Sequence, residues 1–233
     1  MALPPEMSDT FVKEVDENLR RDRIRDFTRD NAILLIGAVI LFLVLCGGLI
    51  FWHQYRIRKT QEQVEKLAQI YTAVDAGKIR GAPQQLEDLS NSSSKAVRGS
   101  AMFGRAAVAL QQGQTKSAIA QYRAIHDDSG LPQPFRDLAL IRQTALEFDS
   151  MRPADVVTRL KPLTTPDGPW FGSAGELTGV ALIKAGKTQE AGQLFAAMAR
   201  SKSVPDAIRL RASQIASTLG IDVSGALPAA PAQ

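Results

Sequence analysis

The side chains that could act as nucleophiles, acid–base groups or metal ligands are few. The chain has 233 residues, with one cysteine, Cys46, and two histidines, His53 and His126. Because Cys46 lies inside a long apolar run, the residues after that run have no thiol for a disulfide, a metal site or a nucleophile. His126 precedes two aspartates, but adjacent side chains point in different directions, whereas a metal site needs converging ligands. We therefore interpret His126 as part of a solvated turn and His53 as an interfacial ring.

No sequence fingerprint of catalysis or cofactor binding is present. The patterns G-x-S-x-G, H-E-x-x-H, the P-loop and the dinucleotide glycine motif are all absent from the chain. The net charge of +4 is small, and no dense basic block is interleaved with aromatic residues, as a nucleic-acid-binding stripe would require. We therefore expect a protein that is not an enzyme, holds no cofactor or metal, and binds neither nucleic acid nor a small-molecule substrate.

The longest apolar element is the charge-free run AILLIGAVILFLVLCGGLIFW, residues 32–52. As a helix it would span roughly 31 Å, close to the hydrocarbon thickness of a bilayer, and we predict a membrane-spanning helix over residues 32–53. A cleaved signal peptide and a lipoprotein acylated at Cys46 are the alternatives. The acid-rich leader before the run and Leu45 beside the cysteine disfavour both. The run also lacks the G-x-x-x-G spacing of close helix dimers.

Basic residues near the two ends of the run predict its orientation. Five arginines precede the run and four basic residues follow it, a small excess on the N-terminal side. A short arginine-rich tail resists transfer across a membrane, whereas a long following domain can be translocated largely regardless of charge. We predict that the amphipathic tail, residues 1–31, stays in the cytoplasm and that the larger domain lies outside it. Translation from Met1 and translation from Met7 both fit this tail.

A repeat of 36 to 37 residues follows the apolar run. In each of four copies a small or turn residue is followed five positions later by alanine. Glycine fits the left-handed position that ends a helix, alanine lets a second helix approach closely, and a large residue one turn later fills the gap. The pattern predicts helical hairpins that must stack to cover their apolar faces. The turn residue and alanine pairs are Gly77 and Ala82, Gly113 and Ala118, Asp149 and Ala154, and Gly186 and Ala191. The third copy matches worst.

Breaker-rich segments at 90–94, 129–132, 165–169 and 201–205 separate the predicted hairpins, and a last helix over about 205–219 is expected to cap the stack. The sequence therefore predicts an all-α fold with an N-terminal amphipathic helix, one transmembrane helix and stacked helical hairpins. The expected domains are a cytoplasmic tail at 1–31, a transmembrane helix at 32–53, a repeat domain at 54–221 and a disordered Ala/Pro tail at 222–233.

Two stretches resemble tetratricopeptide repeats, which have small residues in the first helix and alanine with an aromatic residue in the second. They are AMFGRAAVALQQGQTKSAIAQYRAI, residues 101–125, and GVALIKAGKTQEAGQLFAAMA, residues 179–199. The order of parts and the opening SDTFVKEVDENLRRDRIRDF resemble the YfgM-type inner-membrane proteins, in particular alphaproteobacterial members. Those proteins are ancillary subunits of the SecYEG translocon with a periplasmic repeat domain. The resemblance covers nearly the whole chain except the Ala/Pro tail.

The resemblance implies a single-pass protein of the bacterial inner membrane that links secreted proteins to periplasmic chaperones. Its partners would be translocon subunits, chaperones or exported clients, together with the lipid bilayer. A scaffold for a cell-division or cell-wall complex and a cytoplasm-facing membrane adaptor are the alternatives. The first helices of tetratricopeptide units line a concave groove. Projected onto this chain, that arrangement gives Phe103, Ala107, Gln111, Glu176, Val180 and Lys184 as the candidate partner-binding residues.

Overall fold

The computed structural model describes residues 32–223 of the chain. Within that range the regular structure is helical, with nine α-helices, one short 3-10 helix and no β-strand. The all-α prediction is therefore confirmed there, whereas the predicted helix of the tail 1–31 and the segment 224–233 lie outside the described residues. The elements are α1 (Ala32–Asp75), α2 (Ala82–Ser90), α3 (Lys95–Gln111), α4 (Thr115–Asp127), α5 (Gln133–Glu147), α6 (Pro153–Leu160), the 3-10 helix (Lys161–Leu163), α7 (Phe171–Lys184), α8 (Thr188–Arg200) and α9 (Asp206–Thr218).

Helix α1 is 44 residues long and contains the apolar run. The chain divides into two compact units between Gln61 and Glu62, and large apolar side chains of α1 in the first unit are exposed. By length and composition α1 can cross a membrane, which fits anchoring by a single pass. The helix continues past residue 53 because residues 49–75 contain neither glycine nor proline.

Three of the four predicted hairpin turns have the same glycine-dependent geometry. Gly77, Gly113 and Gly186 have φ of 76°, 72° and 75°, a left-handed conformation that strains any residue with a Cβ. At the second turn the Gly113 N–H donates to the Leu110 carbonyl and the Gln114 N–H donates to the Ala109 carbonyl, at 2.9 and 2.8 Å. The same pair of bonds recurs at the other two turns. These are Schellman ends, as the sequence pattern predicted.

We expect Gly113→Ala to lower the free energy of unfolding by about 1–2 kcal/mol. A Cβ at this position would meet nothing within 4 Å, so the cost is purely conformational. Gly113→Asn is the matched control, because asparagine enters the left-handed region more easily than alanine. Urea unfolding of the full-length protein in detergent, followed by circular dichroism, measures both. Equal midpoints for wild type and the alanine variant would contradict the assignment.

The hairpin cores confirm the packing role of the repeated alanine and the large residue after it. Ala118 and Ala191 are fully buried, at the start of α4 and α8. One turn later Tyr122 and Phe195 are also buried. The first hairpin uses aliphatic residues at the same places, and its second helix contributes Ala82, Leu86 and Leu89 to one core cluster.

The third hairpin departs from the predicted register. Ala154, Thr158 and Lys161 are exposed, whereas Val156 and Leu160 are 1% and 0% exposed. The buried face of α6 is therefore shifted by two residues relative to the repeat. The buried face of a helix is the one that carries apolar residues four positions apart. In this copy those residues are Val156 and Leu160, two positions after the repeat positions 154 and 158.

The second compact unit has four core clusters, and each joins one hairpin to the first helix of the next. One cluster contains residues of α1, α2 and α3, the next of α3, α4 and α5, the third of α5, α6 and α7, and the last of α7, α8 and α9. Because the cores are shared, a hairpin cannot cover its apolar surface alone. The final cluster includes Val223, 6% exposed, so packing extends into the segment predicted as a tail.

Candidate partner-binding surface

The six candidate groove residues lie on two of the first helices of the hairpins. Phe103, Ala107 and Gln111 are on α3, and the other three are on α7, with four-residue spacing in both cases. Residues spaced by four share one face of a helix, so each helix presents one triplet. Helix α5 comes between α3 and α7 in the order of the repeats, and the six residues therefore form two patches instead of one cluster.

On α3 the two distal residues are exposed and the aromatic one is part of the core. Ala107 and Gln111 are exposed. The Phe103 ring is half-buried in the cluster of α3, α4 and α5. Its centroid lies 5.6 Å from that of Tyr122 and 6.2 Å from that of Phe135, both tilted contacts. Aromatic pairs at these distances contribute to packing, so Phe103 mainly joins two hairpins.

On α7 the first and last residues of the triplet are tied to neighbouring helices by charge. The Arg211 Nε lies 2.5 Å from the Glu176 carboxylate, joining α9 to α7. The Lys184 Nζ lies 2.8 Å from the Asp149 carboxylate, which closely follows α5. That ammonium group also lies 4.7 Å from the centroid of the Phe148 ring, a cation–π distance. Neighbouring repeats are therefore linked across this surface by pairs of opposite charge.

Between these ion pairs an apolar side chain is left in contact with solvent. Val180 lies one helical turn from both Glu176 and Lys184 and is 39% exposed. We call Glu176, Val180, Lys184 and Arg211 the α7–α9 surface. An apolar group framed by charges of both signs is suited to a protein partner, because apolar burial adds affinity and charges set orientation.

Two tyrosines inside the stack have a raised pKa because they are partly buried. The Tyr71 hydroxyl donates a hydrogen bond of 2.6 Å to the Ser100 carbonyl, which joins the end of α1 to α3. Burial raises the pKa of Tyr71 above its usual value. Burial also raises the pKa of Tyr122, with a smaller opposing effect from Arg142. The Tyr71 hydroxyl therefore acts as a hydrogen-bond donor between helices, and the Tyr122 ring packs in the core of α3, α4 and α5.

Two of the side chains next to the predicted turn, His126 and Asp128, are engaged elsewhere. The His126 Nδ1 lies 3.1 Å from the Arg136 carbonyl oxygen, to which it donates. Asp128 accepts hydrogen bonds from Arg98 and from the Gly130 N–H, both at 2.8 Å. His53 is exposed on α1. Over residues 32–223 no group of three or more His, Cys, Asp and Glu side chains is arranged to hold a metal ion.

Sequence reasoning missed an ion network that joins the irregular third hairpin to the second. Glu147 on α5, whose side chain is 16% exposed, accepts from Arg159 of α6 at 2.5 Å and from Arg123 of α4 at 3.3 Å. Gln143 also donates to it, at 3.2 Å. The two arginines, Arg123 and Arg159, are 24 and 12 residues from Glu147 in the sequence. Of these three contacts, only the one between Gln143 and Glu147 has a spacing, four residues, that a helical pattern can predict.

A second missed feature is a shallow polar groove on the other side of α3. Two adjoining depressions of about 240 and 280 Å³ share Arg105, Ser117 and Gln121. They are lined by α2, α3 and α4, and the Arg105 guanidinium lies 2.6 Å from the Glu87 carboxylate on α2. No periodic signal in the sequence marks this groove, since its polar residues come from three helices.

Comparisons with known proteins agree with this architecture. Neither the curated proteins nor the solved structures gave a match. The family model described as "Tetratricopeptide repeat-like domain" matches residues 25–216. That range includes the apolar part of α1 as well as all four hairpins. The match covers most of the chain, and the chain therefore belongs to the tetratricopeptide repeat-like domain family.

Proposed function

We propose that this chain is a single-pass protein of a bacterial inner membrane whose repeat domain binds other proteins on the periplasmic side. One observation carries the proposal: the family match runs without a break from residue 25, before the apolar segment, to residue 216, in the last helix. Anchor and repeats therefore belong to one family unit. A binding domain attached to its own membrane helix acts on partners at or near that membrane.

Protein binding is the activity that a tetratricopeptide-like scaffold supports. The stacked hairpins offer extended surfaces, and the α7–α9 surface combines an exposed apolar group, Val180, with ion pairs. We propose no catalytic step and no cofactor. The partners are those implied by the resemblance to YfgM-type proteins, namely subunits of the SecYEG translocon, periplasmic chaperones and proteins leaving the channel.

Site-specific photocrosslinking in cells tests the proposal. A photoreactive amino acid is placed at Val180 on α7 and at Ala107 on α3 of the full-length protein. Thr158, exposed on α6, is the control, because it lies on a second helix of a hairpin. We expect adducts with translocon subunits, chaperones or exported proteins from the two first-helix positions and few from the control. Adducts with cell-wall or division proteins would instead favour the envelope scaffold, and equal labelling at all three positions would contradict a defined surface.

Replacing Val180 by a charge and reversing the charge of Lys184 should weaken partner capture without unfolding the domain. We expect Val180→Asp combined with Lys184→Glu to reduce co-purification of partners about tenfold, which corresponds to about 1.4 kcal/mol. Both side chains are exposed, and exposed ion pairs contribute little to stability, so the unfolding midpoint should barely change. Thr158→Asp is the control for added surface charge. Unchanged capture by a folded double variant would exclude this surface.

A further inference from the structure

One face of α1 carries a regular spacing of uncharged residues. Successive members are separated by three, four, three, four and three positions, and such alternation keeps side chains on one side of a helix. None of them is Asp, Glu, Lys or Arg, although basic residues lie among them in the sequence. We call this face the α1 seam; it consists of Leu43, Cys46, Ile50, His53, Ile57 and Thr60.

The α1 seam is uncovered in the described part of the chain. Leu43, Ile50 and Ile57 are 61%, 59% and 43% exposed. Ile57 is the informative one, because it lies five residues beyond the end of the apolar run and next to Arg56 and Arg58. Lipid tails cover the seam inside a bilayer, but they reach Ile57 least, because it lies between two arginines beyond the apolar run. Ile57 is therefore available to a protein partner.

The opposite side of α1 has the composition expected of a lipid-facing surface. At 3.6 residues per turn, Trp52, Tyr55 and Lys59 project away from Ile57. The Arg56 guanidinium carbon lies 5.0 Å from the centroid of the Trp52 ring, within cation–π range. Aromatic and basic side chains favour the headgroup region. The helix thus separates a side suited to lipid from the aliphatic and uncharged seam.

We propose that the α1 seam is a dimer interface, occupied by the same seam of a second copy of this chain. Two copies inserted in one membrane have the same orientation, so their helices run parallel and in register. In a parallel pair Ile50 and Ile57 take the a positions, where β-branched residues favour two strands, and Cys46, His53 and Thr60 take the d positions.

Charge does not oppose a second copy in register. In the same heptad, Arg56 falls at a g position, and it faces the e position occupied by Gln61 of the second copy. The other two basic residues of this stretch, Arg58 and Lys59, fall at b and c, away from the contact. Like charges therefore do not meet across the seam. The spacing continues in sequence to Val64, four residues after Thr60.

The only cysteine of the chain supplies a direct probe of this interface. In a parallel dimer Cys46 faces Cys46 of the second copy, and oxidation of the two thiols by copper phenanthroline forms a disulfide. We expect full-length protein in native membranes to shift from 25.2 kDa to about twice that mass on non-reducing gels. The product should disappear in Cys46→Ser and after addition of reductant.

Comparing the disulfide yield of cysteines on different sides of α1 distinguishes a specific interface from random collision of helices. In the Cys46→Ser background, Ile50→Cys restores a thiol in the seam, whereas Val44→Cys places one on the opposite side. Both positions are exposed. We expect at least fivefold more dimer from the seam position than from Val44→Cys. Equal yields, absence of dimer at Cys46 and Ile50→Cys, or a disulfide to a protein of different mass would each overturn the proposal.

A substitution outside the apolar run tests the same interface without disturbing insertion. Ile57→Glu places a like charge at an a position of both copies, and it should reduce the Cys46 disulfide several-fold. Arg58→Glu, one residue away and outside the seam, is the matched control. Unchanged crosslinking in Ile57→Glu would contradict the assignment of the interface to this face.

Discussion

Replacing Phe195 with alanine is expected to lower the free energy of unfolding by about 3–5 kcal/mol. The ring is fully buried in the core shared by α7, α8 and α9. It lies directly against α7, where a Cβ built at Gly179 would be 2.5 Å from the Phe195 Cζ. The helix backbones are held by the rest of the core and cannot close over the space left by the ring. Alanine therefore leaves a cavity in addition to losing apolar burial.

Thermal and urea unfolding of the full-length protein in detergent measures this effect. Gln193→Ala, exposed two residues earlier on α8, controls for the loss of side-chain atoms on the same helix and should change stability by less than about 0.5 kcal/mol. If Phe195→Ala were as mild as Gln193→Ala, the fourth hairpin would not be packed through this ring. Partner capture by the variant should fall together with the folded fraction.

Gly179→Val is expected to destabilise the same hairpin from the other side, by about 1–3 kcal/mol. The new side chain would enter the space of Phe195, because a Cβ on residue 179 would lie 2.5 and 2.6 Å from the Cζ and Cε2 atoms of the ring. A whole buried ring has to move, because it has no free space beside it. Ser173→Val, exposed on the same helix, measures the effect of valine on helix propensity alone.

The two substitutions should be coupled because they affect one contact. In the Phe195→Ala background the cavity accommodates the valine, so Gly179→Val should be nearly neutral or stabilising there. A double-mutant cycle gives the interaction free energy, for which we expect about 1–3 kcal/mol. Additive effects would contradict the close approach of α7 and α8 at this point.

The glycine turns and the small-then-large pattern of three hairpins could be predicted from the sequence. The reason is local: a left-handed residue at a helix end strongly favours glycine, and an apolar residue one turn after a buried alanine must lie on the same face. The capping helix was predicted for the same reason, since Ile208, Ala212, Ile215 and Leu219 form one stripe that packs into the last core.

The turn and the buried face of the third hairpin could not be predicted, because its contacts are not periodic. Asp149 has neither glycine's freedom nor a left-handed φ, and the buried pair Val156 and Leu160 is shifted by two residues from the repeat. The Glu147 network joins three helices through partners far apart in sequence. Such contacts depend on how the hairpins stack on one another, and the spacing of residues within one helix does not predict that stacking.

The surroundings of the candidate binding residues could be predicted only in part, for a similar reason. Helical spacing identified exposed residues such as Ala107 and Val180, but it could not tell that Phe103 packs against Tyr122 and Phe135. It also could not show that Glu176 and Lys184 pair with residues of neighbouring repeats. Whether these side chains contact a partner stays a prediction, and the crosslinking experiment tests it.

The central claim, that α1 crosses a membrane and places the repeat domain outside the cytoplasm, is tested most directly by protease accessibility. The full-length protein carries a C-terminal tag, and protease is added to cells whose outer membrane has been permeabilised. We expect the repeat domain to be digested while the N-terminal tail stays protected. Resistance of the domain until the inner membrane is broken, with cleavage once it is exposed, would contradict the claim and place the domain in the cytoplasm.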